Sequence, residues 1–228
     1  MHDILIEKNI LSKNKTIAVE NRKMLREKGA FSINMVGSPG SGKTAIIEKT
    51  IESLKDTVTL AVIEGDIQTS LDTQRISKYS IPVRQITTGK ACHLDAHMIY
   101  HTLPWLFEQG NTQILIIENV GNMVCPAEYD LGEDMMIVVM SVTEGDEKPL
   151  KYPAIFHTSD VLLINKVDLL GYTDFHTERA MKNALKINPD LKIFTISCKT
   201  GEGIMDWCNF LMDKKKQSHP DMQHRNCF

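Results

Sequence analysis

With 228 residues, 42% of them hydrophobic, the chain can bury a sizeable core as one large α/β domain, and nothing in its composition asks for a second. Its 26 basic and 29 acidic residues leave a formal net charge of −3, which excludes a whole-molecule field that would gather nucleic acid or an anionic membrane. No apolar run approaches the roughly 18–20 residues that span a bilayer, Met1-His2-Asp3 opens no signal peptide, and 5 cysteines, an odd number, suit thiols or metal ligands better than disulfides; the expected setting is cytoplasmic, with no nucleic-acid or membrane partner.

Residues 1–30 read as an N-terminal amphipathic helical extension. Between Lys13 and Gly29, the residues Ile17, Ala18, Met24 and Leu25 share one helical face among charged neighbours, and Gly29 ends it. Such a helix packs on a domain's flank or serves a dimer. Residues 31–36 then read as a short buried strand and residues 45–51 as a helix. Between them Gly37-Ser38-Pro39-Gly40-Ser41-Gly42-Lys43-Thr44 fits the phosphate-binding pattern G-x-x-x-x-G-K-[ST] at every fixed position, in the strand–loop–helix context that the pattern needs. Its glycines let backbone N–H groups approach phosphate oxygens, and the helix N-terminus adds partial positive charge. Lys43 is expected to reach the β- and γ-phosphates, and the Thr44 hydroxyl to ligate Mg²⁺.

A second strand at 58–63 ends in Glu64-Gly65-Asp66, and Asp72 follows on a turn or helix spanning 69–79. Acidic residues at the carboxyl end of a parallel strand face the ligand crevice, so Asp66 and Asp72 are candidates for holding a phosphate-bound Mg²⁺. The plainer reading makes Asp66 a helix cap and Asp72 a solvated charge. After a third strand at 83–86 comes Thr87-Thr88-Gly89-Lys90-Ala91-Cys92-His93-Leu94-Asp95-Ala96-His97. A helix starting near Ala91 would line up His93, His97 and His101 on one face beside Cys92, either as a row of transition-metal ligands or as a polar face with one satisfied core histidine. Residues 113–118 form a continuous apolar run ending in Glu118, as expected of a fully buried parallel strand with a Mg²⁺- or water-orienting acid at its end. The loop beyond it carries Cys125 before Pro126, which biases the cysteine to extended geometry outside any helix. It leaves the same rim of the sheet as Cys92 and His93, which strengthens the metal reading.

Further strands are expected at 135–142 and 161–164, the latter running into Asn165-Lys166-Val167-Asp168. This quartet resembles the guanine-recognition element of GTPases. A carboxylate at Asp168 accepts hydrogen bonds from N1–H and the exocyclic amine of guanine, a donor pair that adenine lacks. A seventh strand at 192–197 precedes Cys198-Lys199-Thr200-Gly201-Glu202-Gly203, so that Ser197-Cys198-Lys199 resembles the S-A-K element beneath the base, with a small thiol in place of alanine. The last helix is expected from about Ile204 to Lys216, and the tail 217–228, with His219, His224 and Cys227, is expected to be flexible. The fold class that follows is a single P-loop NTPase domain at 31–216, with a mostly parallel seven-stranded sheet and helices on both faces.

Taken together, Gly37–Thr44, Glu64–Asp72, the Gly89–His97 stretch, Glu118-Asn119-Val120-Gly121-Asn122-Met123-Val124-Cys125-Pro126, Asn165–Asp168 and Ser197–Gly203 resemble the HypB family of hydrogenase nickel incorporation GTPases, over roughly residues 15 to 213. The Cys-His pair and the Val-Cys-Pro loop are the most specific parts. The resemblance implies GTP with Mg²⁺, a homodimer that forms around the nucleotide, and Cys92, His93 and Cys125 as ligands of Ni²⁺ or Zn²⁺. It also implies a HypA-type partner and delivery of metal to a hydrogenase large-subunit precursor. The N-terminal cysteine motif or His-rich stretch of some members has no counterpart between Met1 and Leu11, and the related urease accessory GTPases carry Cys-Pro-His where this chain has Val-Cys-Pro-Ala. A cobalamin-enzyme accessory GTPase and a P-loop ATPase or kinase are the other readings. In the first of these Cys92 would be dispensable, and in the second Asp168 would have no use. Catalysis is expected from Lys43, Mg²⁺ and acids among Asp66, Asp72 and Glu118 by positioning and charge, with slow turnover.

Overall fold

The computed structural model describes residues 2–67, 71–89 and 91–218. Seven strands, β1 (Phe31–Gly37), β2 (Leu60–Asp66), β3 (Val83–Thr87), β4 (Ile114–Glu118), β5 (Met135–Ser141), β6 (Val161–Asn165) and β7 (Lys192–Thr195), form one sheet in the order β3-β2-β4-β1-β5-β6-β7. Every neighbouring pair is parallel. β1, β4, β5 and β6 are buried along their whole length, which is why they read as unbroken apolar runs rather than as alternating ones.

Successive side chains nevertheless serve opposite faces. Ile33, Met35, Ile114, Ile116 and Ile137 pack with α2 (Lys43–Leu54) and α8 (Ile204–Ser218), through Ile47, Ile51, Trp207 and Leu211. On the other face Ala61, Ile63, Leu115 and Ile117 meet α1 (His2–Glu27) and α4 (Ala96–Glu108). Met136, Val138 and Leu162 on that face are covered by α6 (Pro153–Thr158) and α7 (Thr177–Ile187). The polar tip of Trp207 in the first core is answered, because its indole N–H donates to Thr50 Oγ1 at 3.0 Å.

Several elements depart from expectation. The leading helix begins at His2, not near Lys13, because nothing between them breaks a helix. Its inward stripe is Asn14, Ala18, Asn21 and Leu25, half of it polar. Asn14 donates to the Asp130 carbonyl and accepts from Ala96 N–H, and Asn21 donates to the carbonyls of Ala96 and Leu131. α4 starts at Ala96, since the Asp95 carboxylate caps it by accepting from Met98 N–H at 2.8 Å. His93 therefore lies before the helix, and the three-histidine face does not exist. Cys125 heads a one-turn 3-10 helix, Cys125–Ala127, instead of an extended segment, because Pro126 falls in the first turn where no N–H is required. Glu64 and Asp66 lie inside β2 rather than beyond it. α5 (Lys148–Lys151), α6 and α7 were not foreseen, while the tail from His219 onward falls outside the described residues.

Candidate nucleotide and metal site

The phosphate loop closes at Gly42, which adopts φ 99 as the N-cap of α2; a Cβ there would collide with the Asn165 side chain, so glycine is required on both counts. The Lys43 ammonium donates to the carbonyls of Gly37 at 3.2 Å and Ser38 at 3.3 Å. Burial pushes this ammonium below its ordinary range, with Glu118 pulling the other way. The base end is tied to the same loop. Asn165 Nδ2 donates to the Ser41 carbonyl at 3.0 Å and Lys166 Nζ to that of Gly40 at 2.6 Å. Asp168 accepts from Ser197 Oγ at 2.6 Å, and Cys198 Sγ lies 3.7 Å from Asn165 Oδ1. Burial pushes the Cys198 thiol up to about 11, so it is an inert packing group there.

Beside the loop lies a cavity of about 390 Å³ whose walls include Lys43, Thr44, Glu64, Asp66, Asp72, Arg75 and Glu118. Four carboxylates against two cations call for added positive charge. Glu118 faces Glu64 across the β2–β4 ladder and accepts from Thr44 Oγ1 at 2.8 Å, but its second oxygen is buried without a partner. Burial pushes its carboxyl up to about 7. Such an orphaned acceptor next to a hydroxyl fits a Mg²⁺ ion held by Thr44 and Glu118, with Asp72 and Asp66 also lining the cavity. Asp72 is held by Arg75 Nη1 at 3.2 Å, and the same guanidinium makes a two-pronged contact with Glu48 on α2. Glu64, which burial also raises, accepts from Thr73 on α3 (Leu71–Ser77). Its position was not singled out in the sequence, because only the register of β2 against β4 sets it beside Glu118.

On the same rim Cys92, His93 and Cys125 converge, with their ligand atoms all within 4.8 Å of one another. The two sulfurs are 3.0 Å apart, and Cys92 Sγ is 3.7 Å from His93 Nδ1. The Cys125 thiol, with a smaller contribution from burial, holds the Cys92 thiol above its ordinary range, and burial holds His93 below its own. Both effects favour the neutral forms that a metal would displace or use. The His93 ring lies on Tyr129, centroids 3.9 Å apart. His97 is not part of this group; on α4 its Nε2 sits 3.0 Å from that of His101.

The sheet order and the loop at Gly37–Thr44 define a P-loop nucleotide-binding protein. Residues 31–195 match the family model for the CobW/HypB/UreG nucleotide-binding domain. The hydrogenase maturation factor HypB of Rhizobium leguminosarum bv. viciae is 51% identical over 201 residues, which cover 88% of this chain and 67% of that one. Among solved structures, HypB from Archaeoglobus fulgidus aligns with TM-score 0.84 at 42% identity, covering 90% of this chain and 99% of that one. HypB from Helicobacter pylori in complex with nickel aligns with TM-score 0.87 at 40% identity, covering 91% and 97%. The chain belongs to the HypB hydrogenase maturation factors. It spans about two thirds of the length of the Rhizobium relative, and among its described residues no helix is long and apolar enough to cross a membrane.

Proposed function

We propose that this chain is a slow GTPase that binds Ni²⁺ or Zn²⁺ at Cys92, His93 and Cys125 and supports nickel insertion into a hydrogenase precursor in the cytoplasm. It would act as a nucleotide-dependent homodimer with a HypA-type partner. The observation that carries the proposal is the single short loop joining Glu118, whose carboxylate contacts the phosphate-loop Thr44, to Cys125, whose sulfur faces Cys92. The nickel complex of the Helicobacter relative and the maturation role in the names of the relatives support the choice of cargo. Two thiolates and an imidazole suit either ion.

In this reading the Lys43 ammonium exchanges its bonds to the Gly37 and Ser38 carbonyls for phosphate oxygens, which costs little because those contacts are long, at 3.2 and 3.3 Å. Asp168 and Asn165 fix the guanine, and Ser197 keeps the carboxylate aimed. Thr44 and Glu118 would hold Mg²⁺, with Asp72 and Asp66 as further acids; when bound, the ion neutralises the charge that builds on the phosphates. Lys43 stabilises the same charge, and an acid of the cavity wall orients the attacking water, so hydrolysis rests on positioning and electrostatics rather than on a committed base. Cys125 follows Glu118 on one loop, so the nucleotide state alters the metal site through covalent continuity.

The test is to titrate Ni²⁺ into the purified chain with GDP and with a non-hydrolysable GTP analogue, with ATP as competitor. Affinities are expected to differ about 5–150-fold between the two nucleotide states, the range of ordinary site coupling, and ATP should not displace the guanine nucleotide. Equal affinities would sink the coupling, and hydrolysis at about 10 s⁻¹ would mark an ordinary enzyme rather than a switch.

A further inference from the structure

The loop that leaves β4 touches the phosphate loop at two points. Asn122 forms an isolated antiparallel bridge with Gly37, the first residue of the phosphate loop. One residue earlier, a Cβ on Gly121 would come within 2.8 Å of Pro39 Cγ and 3.0 Å of its nitrogen. Gly37 is enclosed from the other side as well, because a Cβ there would collide with the Val139 carbonyl of β5. Backbone packed this closely on both sides moves only together with its neighbours.

The Asn122 side chain carries that contact on to the two loops that bear the thiols. Its Nδ2 donates to the Cys92 carbonyl at 3.2 Å. Its Oδ1 accepts from the N–H of Val124, the residue before Cys125, at 3.0 Å. An amide has a donor side and an acceptor side, and with both engaged it has one orientation. The backbone of a single residue thus meets the phosphate loop while its side chain holds the main chain of Cys92 and of Val124, the residue before Cys125, on two different loops.

We propose that Asn122 is the positioning residue through which the nucleotide state sets the separation of Cys92 and Cys125; the inference rests on the coupled nucleotide and metal sites argued above. Rearrangement of the phosphate loop around a γ-phosphate displaces Gly37, and the bridge carries the displacement to Asn122. The amide then shifts the Cys92 carbonyl and the Val124 N–H, opening or closing the gap between the sulfurs. A residue that merely propped the loop would weaken the thiol site equally in every nucleotide state.

The full-length chain, stripped of metal, serves for the test, with the alkylation rate of Cys92 followed by mass spectrometry in GDP and in a non-hydrolysable GTP analogue. The wild-type rates are expected to differ by at least about 5-fold, the lower end of ordinary coupling. In Asn122→Ala the two rates should agree within about 2-fold while both nucleotide affinities stay within about 3-fold of wild type. Asn122→Asp keeps the acceptor for Val124 and loses the donor for Cys92, so it should fall between, and it decides the matter if the alanine variant does not fold. Ni²⁺ affinities measured in the same two states should follow the same order. Retention of the wild-type ratio in both variants, or an equal change of both rates, overturns the proposal. A wild-type ratio of one overturns the coupling reading itself and this inference with it, and it shows without any variant.

Discussion

The two ends of the crevice rim are held in different ways. At the base end the polar side chains already have protein partners. Ser197 bonds Asp168 at 2.6 Å, Asn165 bonds the Ser41 carbonyl at 3.0 Å and Lys166 bonds that of Gly40 at 2.6 Å. At the other end the second oxygen of Glu118 is buried with no partner, burial raises both Glu118 and Glu64, and two thiols face each other at 3.0 Å. In the proposed reading one end is braced by the protein before its ligand arrives, whereas the other presents acceptors and thiols that cations would complete. Under the proposed function the difference separates recognition from response: the base end would identify the ligand, and the acid and thiol end would change when the ligand is there.

The largest effect that tests this division is expected from Cys125→Ala. Removing one of the three converging ligands should weaken Ni²⁺ binding by more than about 10²-fold, beyond the 10–100-fold typical of groups that only support ligands. Guanine nucleotide affinity should stay within a few-fold. A parallel loss of both, in calorimetric titrations of metal and nucleotide, would mean that the two ends are one unit. Asp168→Asn should produce the mirror image with a smaller loss. The amide replaces one acceptor oxygen by a donor, which leaves a guanine N–H unanswered, so GTP affinity should fall on the order of 10²-fold. Xanthosine triphosphate, which offers a carbonyl where guanine has its amine, should recover most of it. Metal affinity in the nucleotide-free variant should be unchanged.

How far these ends were legible in the sequence follows from how locally each is written. The phosphate loop and the Asn165–Asp168 quartet are contiguous residues at strand ends, so spacing alone revealed them. The core strands were legible because burial on both faces leaves runs such as Ile114–Ile117 with no polar interruption. Helix α7 was not foreseen, although Ala180, Met181, Ala184 and Ile187 recur at helical spacing on the face that meets the core, so its stripe was legible and passed over. The inward face of α1 misled because two of its four buried positions are asparagines that serve distant backbone groups. His93 was grouped with His97 and His101 by spacing, and the Asp95 cap overrode that spacing. Cys92, His93 and Cys125 were found as residue types, but the partners that hold the site were not. The roles of Glu64, Asn122 and Tyr129 exist only through strand register, a bridge and a ring contact, which no local pattern encodes.

A smaller and graded effect should come from a buried acid behind the responsive end. Glu133 accepts from Asn34 Nδ2 at 3.0 Å and from Leu131 N–H at 2.8 Å. Asn34 Oδ1 in turn accepts from Asn119, whose Oδ1 takes the Leu94 N–H at 3.0 Å, one residue from His93. Burial pushes the Glu133 carboxyl from 4.5 up to about 7, with the charge of Asp130 acting in the same direction and the bond from Asn34 opposing it. A folded-state value above the unfolded one means that the folded chain binds this proton more tightly. The associated stability is therefore fully present below about pH 4.5 and is lost as pH rises through 7. At 1.36 kcal/mol per pKa unit the loss between pH 5 and pH 7 is about 2 kcal/mol, readable in urea unfolding of the chain without metal or nucleotide. Glu133→Gln should remove this part of the slope, leaving the part from Glu118, whose carboxyl burial also raises to about 7, and be the less stable protein at pH 5, because its amide N–H₂ meets one of the two N–H donors that the carboxyl had satisfied. The consequence should also be uneven along the rim. Hydrogen-exchange protection of Leu94 N–H should fall with pH in the wild type and not in the variant. Protection of Thr200 N–H, held by Ser197 Oγ at the base end at 3.2 Å, should be indifferent to both. Equal changes at Leu94 and Thr200 would show the rim responding as a single piece, and the division between its ends would then have no basis in stability.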